Sequence, residues 1–359
     1  MKLTAHPYLF EIDNYKPGKA KVETQKVIKL SSNENALGAS PKAIEAYKNH
    51  VERVFRYADG SCCDLRNSIA DKNGIDAERI VCGAGSDEIL AFLTAAFAKA
   101  GDEIIYSQYG FLMYPISAKR VGAKAIAVKE NNLKSDVEAI LASITKRTKI
   151  IFIANPNNPT GSYLNKAQIE KLINGVQKNI LIVLDNAYEE FVDEADYPNA
   201  IELVNSNENV VMTRTFSKIY GLASLRIGWC YSSKYVSEAL NKVRGPFNVG
   251  GPAQVAAIAA LQDDDFFEAS KNHNKKWLKI LFAEFAKIDG LKTYPSIANF
   301  ILLDFGNSEI CQKVNESLLK KGVIFREMTA YGLPTCLRMS IGTDEENLVA
   351  LQLLKDFFS

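Results

Sequence analysis

Short runs of unbroken apolar residues recur along the first two thirds of the chain, separated by longer amphipathic stretches. The runs at residues 79–82, 103–106, 124–128, 149–154, 179–185 and 209–213 lack polar alternation and read as strands, those at 149–154, 179–185 and 209–213 as buried ones. The stretches at 65–73, 89–98 and 165–178 read as helices, and another helix starts after Ser40 with Pro41 in its first turn. A further strand-like run spans 225–231. This alternation predicts an α/β fold, a mostly parallel sheet sandwiched by helices, with ligands beyond the carboxyl ends of the strands. After Lys242 the pattern changes: residues 244–252 are rich in Gly and Pro, and a long helical region follows at 253–288. Short strands near 300–304, 323–326 and 337–340, a helix at 308–321 and a last helix from Asp344 predict a smaller α+β domain. Residues up to about 30, with Pro7, Pro17 and Gly18, read as an irregular arm. The chain is thus expected to divide into an arm (1–35), a large domain (36–247) and a small domain (248–359).

Composition narrows the functional classes. The chain has 359 residues, 47% of them hydrophobic, and a formal net charge of +1. Such a balance gives no electrostatic case for nucleic acid or an anionic membrane. The first residues lack the apolar core of a signal peptide, and the longest apolar run, 89–98, is too short to span a bilayer. Six cysteines and three histidines show no metal-ligand spacing, and the thiols read as reduced and cytoplasmic.

Candidate chemistry clusters where strands end. The stretch at 214–229 places Thr215, Ser217 and Lys218 at a strand exit, with Arg226 eight residues after the lysine. A lysine there can form a Schiff base with an aldehyde cofactor, while Thr215, Ser217 and Arg226 hold its phosphate. The plainer reading is a solvated loop lysine. Upstream, the turn Gly-Ala-Gly-Ser-Asp-Glu at 83–88 joins a strand to a helix and can present free amides to an anion, or can be a tight turn capped by Ser86. Asn158, Asp185 and Lys218 all lie near predicted strand ends and so can meet in one crevice.

Taken together, Asn-Pro-Asn-Asn-Pro-Thr-Gly at 155–161, Asp185 with Tyr188, Ser217-Lys218 with Arg226 and the turn at 83–88 resemble the fold-type I pyridoxal-phosphate aminotransferases over nearly the whole chain. Within that group the sequence is most similar to the histidinol-phosphate aminotransferase family. Tyr15-Lys-Pro-Gly-Lys19, Ser32-Asn-Glu-Asn35, Tyr57-Ala-Asp-Gly60, Arg-Gly-Pro-Phe-Asn-Val at 244–249, Gly-Val-Ile-Phe-Arg at 322–326 and Leu-Arg-Met-Ser-Ile-Gly-Thr at 337–343 carry that likeness. The resemblance implies pyridoxal 5'-phosphate bound to Lys218, with Asp185 on the pyridine nitrogen and Asn158 and Tyr188 on the ring oxygen. It implies Phe111 stacked on the ring, although Tyr109 is near enough to take that place. The phosphate would be held by Ser86, Asp87, Thr215, Ser217 and Arg226, and by Tyr57 from a second subunit, making a homodimer whose arm contacts the partner. Transamination between histidinol phosphate and 2-oxoglutarate, yielding glutamate, would use Tyr15, Arg326 and Arg338 for the substrate. Arg326 has a plainer alternative, a surface strand residue paired with Glu327 or Asp304. Ala58 and Cys62-Cys63 depart from the family's usual residues. An aromatic or prephenate aminotransferase, a threonine-phosphate decarboxylase and a non-catalytic cofactor-binding module are the competing readings.

Overall fold

A computed structural model describes residues 3–12 and 27–359. Its centre is a seven-stranded sheet. Strands Lys124–Val128, Glu103–Ser107, Thr148–Ala154, Leu181–Asp185 and Val210–Thr215 lie side by side in parallel, and Gly228–Tyr231 and Ile80–Gly83 complete one edge in antiparallel pairings. The unalternated apolar runs have a direct cause. Ile151 and Ile153 face one core while Ile150 and Phe152 face the other, and Ile182/Leu184 and Leu181/Val183 divide the same way. Successive strand residues point to opposite faces, so a sheet covered on both sides needs apolar residues at every position.

Ser40 caps the helix Pro41–His50 by accepting from the Ala43 amide, with Pro41 in the first turn as expected. The predicted helix 253–288 is two helices, Gly251–Leu261 and Asp264–Phe285. The break falls at Gln262-Asp263, where the buried Asp263 carboxylate accepts from the Ser40 hydroxyl at 2.5 Å. Ala253, Ala256, Ala257 and Ala260 of the first of these helices join the large core, whereas Trp277, Leu281 and Phe285 of the second begin the small one. The division expected at 247/248 therefore precedes a helix that packs with the large unit.

The small unit carries the antiparallel strands Arg326–Glu327, Cys336–Ser340, Phe300–Asp304 and Lys292–Thr293. The single strand expected at 323–326 divides, because Val323–Ile324 pairs instead with Ile28–Lys29 in a separate two-stranded sheet. Ile28 and Leu30 are buried in the small unit's core, so the end of the arm is tied to this chain's own small unit.

One turn sets the position of Lys218. The Gly221 amide donates to the Lys218 carbonyl at 2.9 Å, with φ +69° at Gly221. A Cβ there would stand 1.9 Å from the Gly38 carbonyl oxygen, which is backbone and has no side chain to swing away. Gly306 has a similar φ of +67° but open space around it. Gly221→Ala should therefore destabilise the protein by about 2–4 kcal/mol, and Gly306→Ala by about 1 kcal/mol. Chemical denaturation of the two variants checks this, and equal losses would refute the packing account of Gly221.

Candidate active site

The carboxyl ends of the parallel strands open into a cavity of about 490 Å³. Asp185 is the last residue of its strand, Thr215 the last of the next, and Lys218 follows in the turn closed by Gly221. Asn158 comes from the loop after Thr148–Ala154, in which the Asn155–Pro156 and Asn158–Pro159 bonds are cis. Ser86, Asp87, Phe111, Tyr188, Ser217, Arg226, Arg326 and Arg338 line the same space. One expected residue does not. Tyr57 is 86% exposed and stacks on Phe247 at 4.6 Å, away from this chain's cavity. Tyr15 lies outside the described residues.

Lys218 Nζ donates to the Ser32 carbonyl at 3.1 Å and sits 5.7 Å from the Tyr188 ring centre. Desolvation first, and the Arg338 charge second, push its pKa down to about 7. The amine is then largely neutral above that pH, as a base must be. Asp185 is buried, which raises its pKa, but each oxygen accepts a hydrogen bond, from the Tyr114 hydroxyl at 2.8 Å and from the Thr213 hydroxyl at 3.1 Å. These donors favour the carboxylate against the cost of burial, and a cation placed beside it would favour it further.

The anion cradle is built by close approach. Gly85, at φ +92°, is the N-cap of helix Ser86–Phe97 and supplies no capping side chain. Ser86 is thus the first helical residue and not the cap, so the first-turn amides lack that partner. A Cβ on Gly85 would lie 2.2 Å from Arg226 Nη2, and one on Gly228 would lie 2.5 Å from the Ser86 amide nitrogen. Arg226, itself at φ +50°, holds Asp87 Oδ1 at 2.6 Å and donates to Ser217 Oγ at 3.3 Å. Amides, hydroxyls and a guanidinium are thereby gathered at a helix N-terminus, an arrangement that suits a phosphate.

Arg326 and Arg338 are paired across neighbouring strands of the small unit, and both line the cavity. Arg338 donates to Asn158 Oδ1 and to the Ser31 carbonyl at 2.9 Å. Arg326 is buried to 9% exposure and lines the cavity, which rules out the surface-residue reading. Of the two aromatics, Phe111 lines the cavity, whereas Tyr109 packs beside Leu112 and Leu133 against the cluster around Met328 and Tyr331. The sequence reading missed Tyr114, Thr213, Asn33, Arg120 and Tyr331. Tyr114 belongs to helix Met113–Arg120, which begins without a capping side chain and contains Pro115, so no start signal marked it. Asn33 lies in Ser32-Asn-Glu-Asn35, but nothing in its spacing assigned it a role.

Residues 25–354 match the family described as aminotransferase class I and II. The chain is 47% identical over 354 residues to a protein named histidinol-phosphate aminotransferase from Paramagnetospirillum magneticum, covering 98% of this chain and 97% of that one. It is 44% identical over 356 residues to a protein of the same name from Rhodopseudomonas palustris, covering 98% and 97%. The crystal structure of histidinol-phosphate aminotransferase from Sinorhizobium meliloti in complex with pyridoxal-5'-phosphate superposes with a TM-score of 0.90 at 26% identity, covering 98% of this chain and 96% of that one. The fold, the cavity at its strand ends and these matches agree: the chain belongs to the class I and II aminotransferase family.

Proposed function

We propose that this chain is a pyridoxal-phosphate-dependent transaminase that converts L-histidinol phosphate and 2-oxoglutarate to imidazole acetol phosphate and L-glutamate, in histidine biosynthesis. The observation that carries the reading is one cavity lined by Lys218 and Asp185 together with the cross-strand pair Arg326 and Arg338.

The residues present fit the cofactor. The cradle of Ser86, Asp87, Thr215, Ser217 and Arg226 suits its phosphate, and the closeness of Gly85 and Gly228 leaves room for no side chain but the arginine's. Phe111 supplies an aromatic wall for its ring, and Asn158 and Tyr188 supply polar groups for its ring oxygen. When bound, the cofactor provides an electron sink for the bonds at the substrate's amine-bearing carbon. The protein's residues do the rest. Lys218 would hold the cofactor and, once displaced by the substrate amine, its Nζ would carry the proton from that carbon to the cofactor carbon on the other side of the amine nitrogen. Asp185 keeps the ring nitrogen protonated. The planar, multi-donor guanidinium groups of Arg326 and Arg338 suit a phosphate or carboxylate in turn, so one site can serve both substrates of an alternating reaction. Tyr15 is assigned to the same substrate phosphate.

A homodimer belongs to this reading. Tyr57 is exposed and stacked on Phe247, with Tyr47, Val51, Val54 and Phe55 also exposed nearby in sequence, and a second copy covering them would bring Tyr57 to the partner's cofactor phosphate. The cytoplasm is the proposed compartment, since all six cysteines are unpaired and a reducing environment keeps them so; cell fractionation tests it. Among the described residues no helix is long and apolar enough to cross a membrane.

Two outcomes are expected. Arg326→Ala should lower kcat/KM for histidinol phosphate roughly 30-fold or more relative to phenylalanine, since truncating one partner of a buried charge contact costs at least about 2 kcal/mol. An equal loss with both donors would show that Arg326 does not read phosphate, and a much higher efficiency with phenylalanine in the unaltered enzyme would make it an aromatic aminotransferase. For the dimer, mixing Tyr57→Ala with Lys218→Ala protein and allowing subunits to exchange should restore up to about a quarter of the wild-type sites, because each heterodimer contains one intact site. No recovery in a mixture whose exchange is verified would show that Tyr57 does not serve the partner's site.

A further inference from the structure

We propose that Asn33 is a positioning residue that sets the direction in which the Tyr188 hydroxyl donates, and that Ser340 locks the Asn33 amide in the orientation this requires. The inference rests on the cofactor reading above and extends it to residues to which that reading gives no role.

Asn33 is 1% exposed, has a left-handed φ of +54° and lies where the two units meet. Its backbone amide donates to Ser340 Oγ at 2.8 Å, and the Ser340 hydroxyl donates back to Asn33 Oδ1 at 2.9 Å. The Asn33 side-chain amide then donates from Nδ2 to the Tyr188 hydroxyl at 3.0 Å. Asn299 Nδ2 donates to the Asn33 carbonyl at 3.1 Å and fixes the backbone from the small unit.

The buried Ser340 hydroxyl decides which way the amide faces. Its oxygen already accepts from the Asn33 backbone, so its single proton needs an acceptor, and Asn33 Oδ1 supplies one. Turning the amide over would aim Nδ2 at that oxygen and leave the serine proton without a partner among the described residues, an unfavourable state in a buried site. With the amide held, Nδ2 points at Tyr188 and makes its hydroxyl an acceptor. The one hydroxyl hydrogen of Tyr188 must then point away from Asn33. Tyr188 lines the cavity beside Lys218, with its ring held edge-on to Phe300 at 5.2 Å, so the cavity is where that hydrogen is used. In the proposed enzyme it meets the cofactor's ring oxygen.

The arrangement also joins substrate binding to this proton. Ser340 and Arg338 are two apart on one strand and share a face, and Arg338 donates to the carbonyl of Ser31, two residues before Asn33. The strand that grips the substrate thus holds the residue that aims Tyr188.

Asn33→Asp and Ser340→Ala test this. Aspartate keeps the size of asparagine and tolerates the left-handed backbone, but it can only accept, so Tyr188 would donate to it. Ser340→Ala frees the amide to turn. In cofactor-free protein carrying 13Cζ-tyrosine, with Tyr188 assigned through Tyr188→Phe, the Tyr188 resonance should move downfield in Asn33→Asp at neutral pH. In cofactor-loaded protein, the midpoint of the visible absorbance titration should rise by about one pH unit in Asn33→Asp, in the direction of Tyr188→Phe, and by a smaller amount in Ser340→Ala. An unmoved resonance and midpoint in Asn33→Asp, with the midpoint moved in Tyr188→Phe, would overturn the proposal. So would a lower kcat with an unmoved midpoint, the mark of a purely structural role. An effect of Asn33→Asp with none from Ser340→Ala would refute the lock. A moved resonance without a visible band in any protein, wild type included, would uphold the Asn33–Tyr188 bond and sink the cofactor reading instead.

Discussion

A lysine amine held out of water beside an arginine is the constraint on which the site depends. Burial penalises the charged form of Lys218, the nearby Arg338 charge adds to that penalty, and together they bring its pKa to about 7. An ordinary lysine would be protonated at neutral pH and useless as a base. The fold meets the constraint by setting the lysine at the carboxyl end of the sheet and closing it in with the small unit, which brings Arg338 on the strand Cys336–Ser340. Asp185 is the counterpart on the cavity floor. It too is buried, which raises its pKa, and two hydroxyl donors oppose that rise by favouring the carboxylate.

The segment from Ser31 to Asn33 joins these parts. Lys218 donates to its Ser32 carbonyl, Arg338 to its Ser31 carbonyl, and Asn33 bridges Ser340 and Tyr188. Just ahead of it, Ile28–Lys29 is stitched into the small unit by parallel pairing with Val323–Ile324. A shift of the small unit would therefore act on the lysine, the anion-gripping arginine and the tyrosine together.

Much of this was legible in the sequence where a single physical rule applied. Strands buried on both faces announce themselves as unbroken apolar runs, and Asn158, Asp185 and Lys218 could be brought to one crevice because such sheets bind ligands at their strand ends. The cradle at Gly85 was readable as a turn that exposes amides, although the identity of the cap was not: the plainer reading of the turn put Ser86 there, and the backbone uses Gly85 and lets Arg226 approach. What escaped depends on contacts between distant segments. Tyr114 reaches Asp185 across 71 residues from a helix without a start signal, and Asn33 reaches Ser340 across 307. Residues 323–326 form two strands because each end finds a different partner, which no local pattern encodes.

The central claim is that Lys218 moves the proton from a state kept neutral by its surroundings. The most direct measurement is the single-turnover half-reaction of the cofactor-loaded protein with L-histidinol phosphate, followed by visible absorbance as a function of pH. The account predicts a rate that climbs with pH through about 7 and levels above it, as the neutral amine comes to dominate, and that falls by several orders of magnitude in Lys218→Ala. A Lys218→Ala protein that turns over at a rate close to wild type, or a wild-type rate still climbing towards the ordinary lysine range, would contradict it.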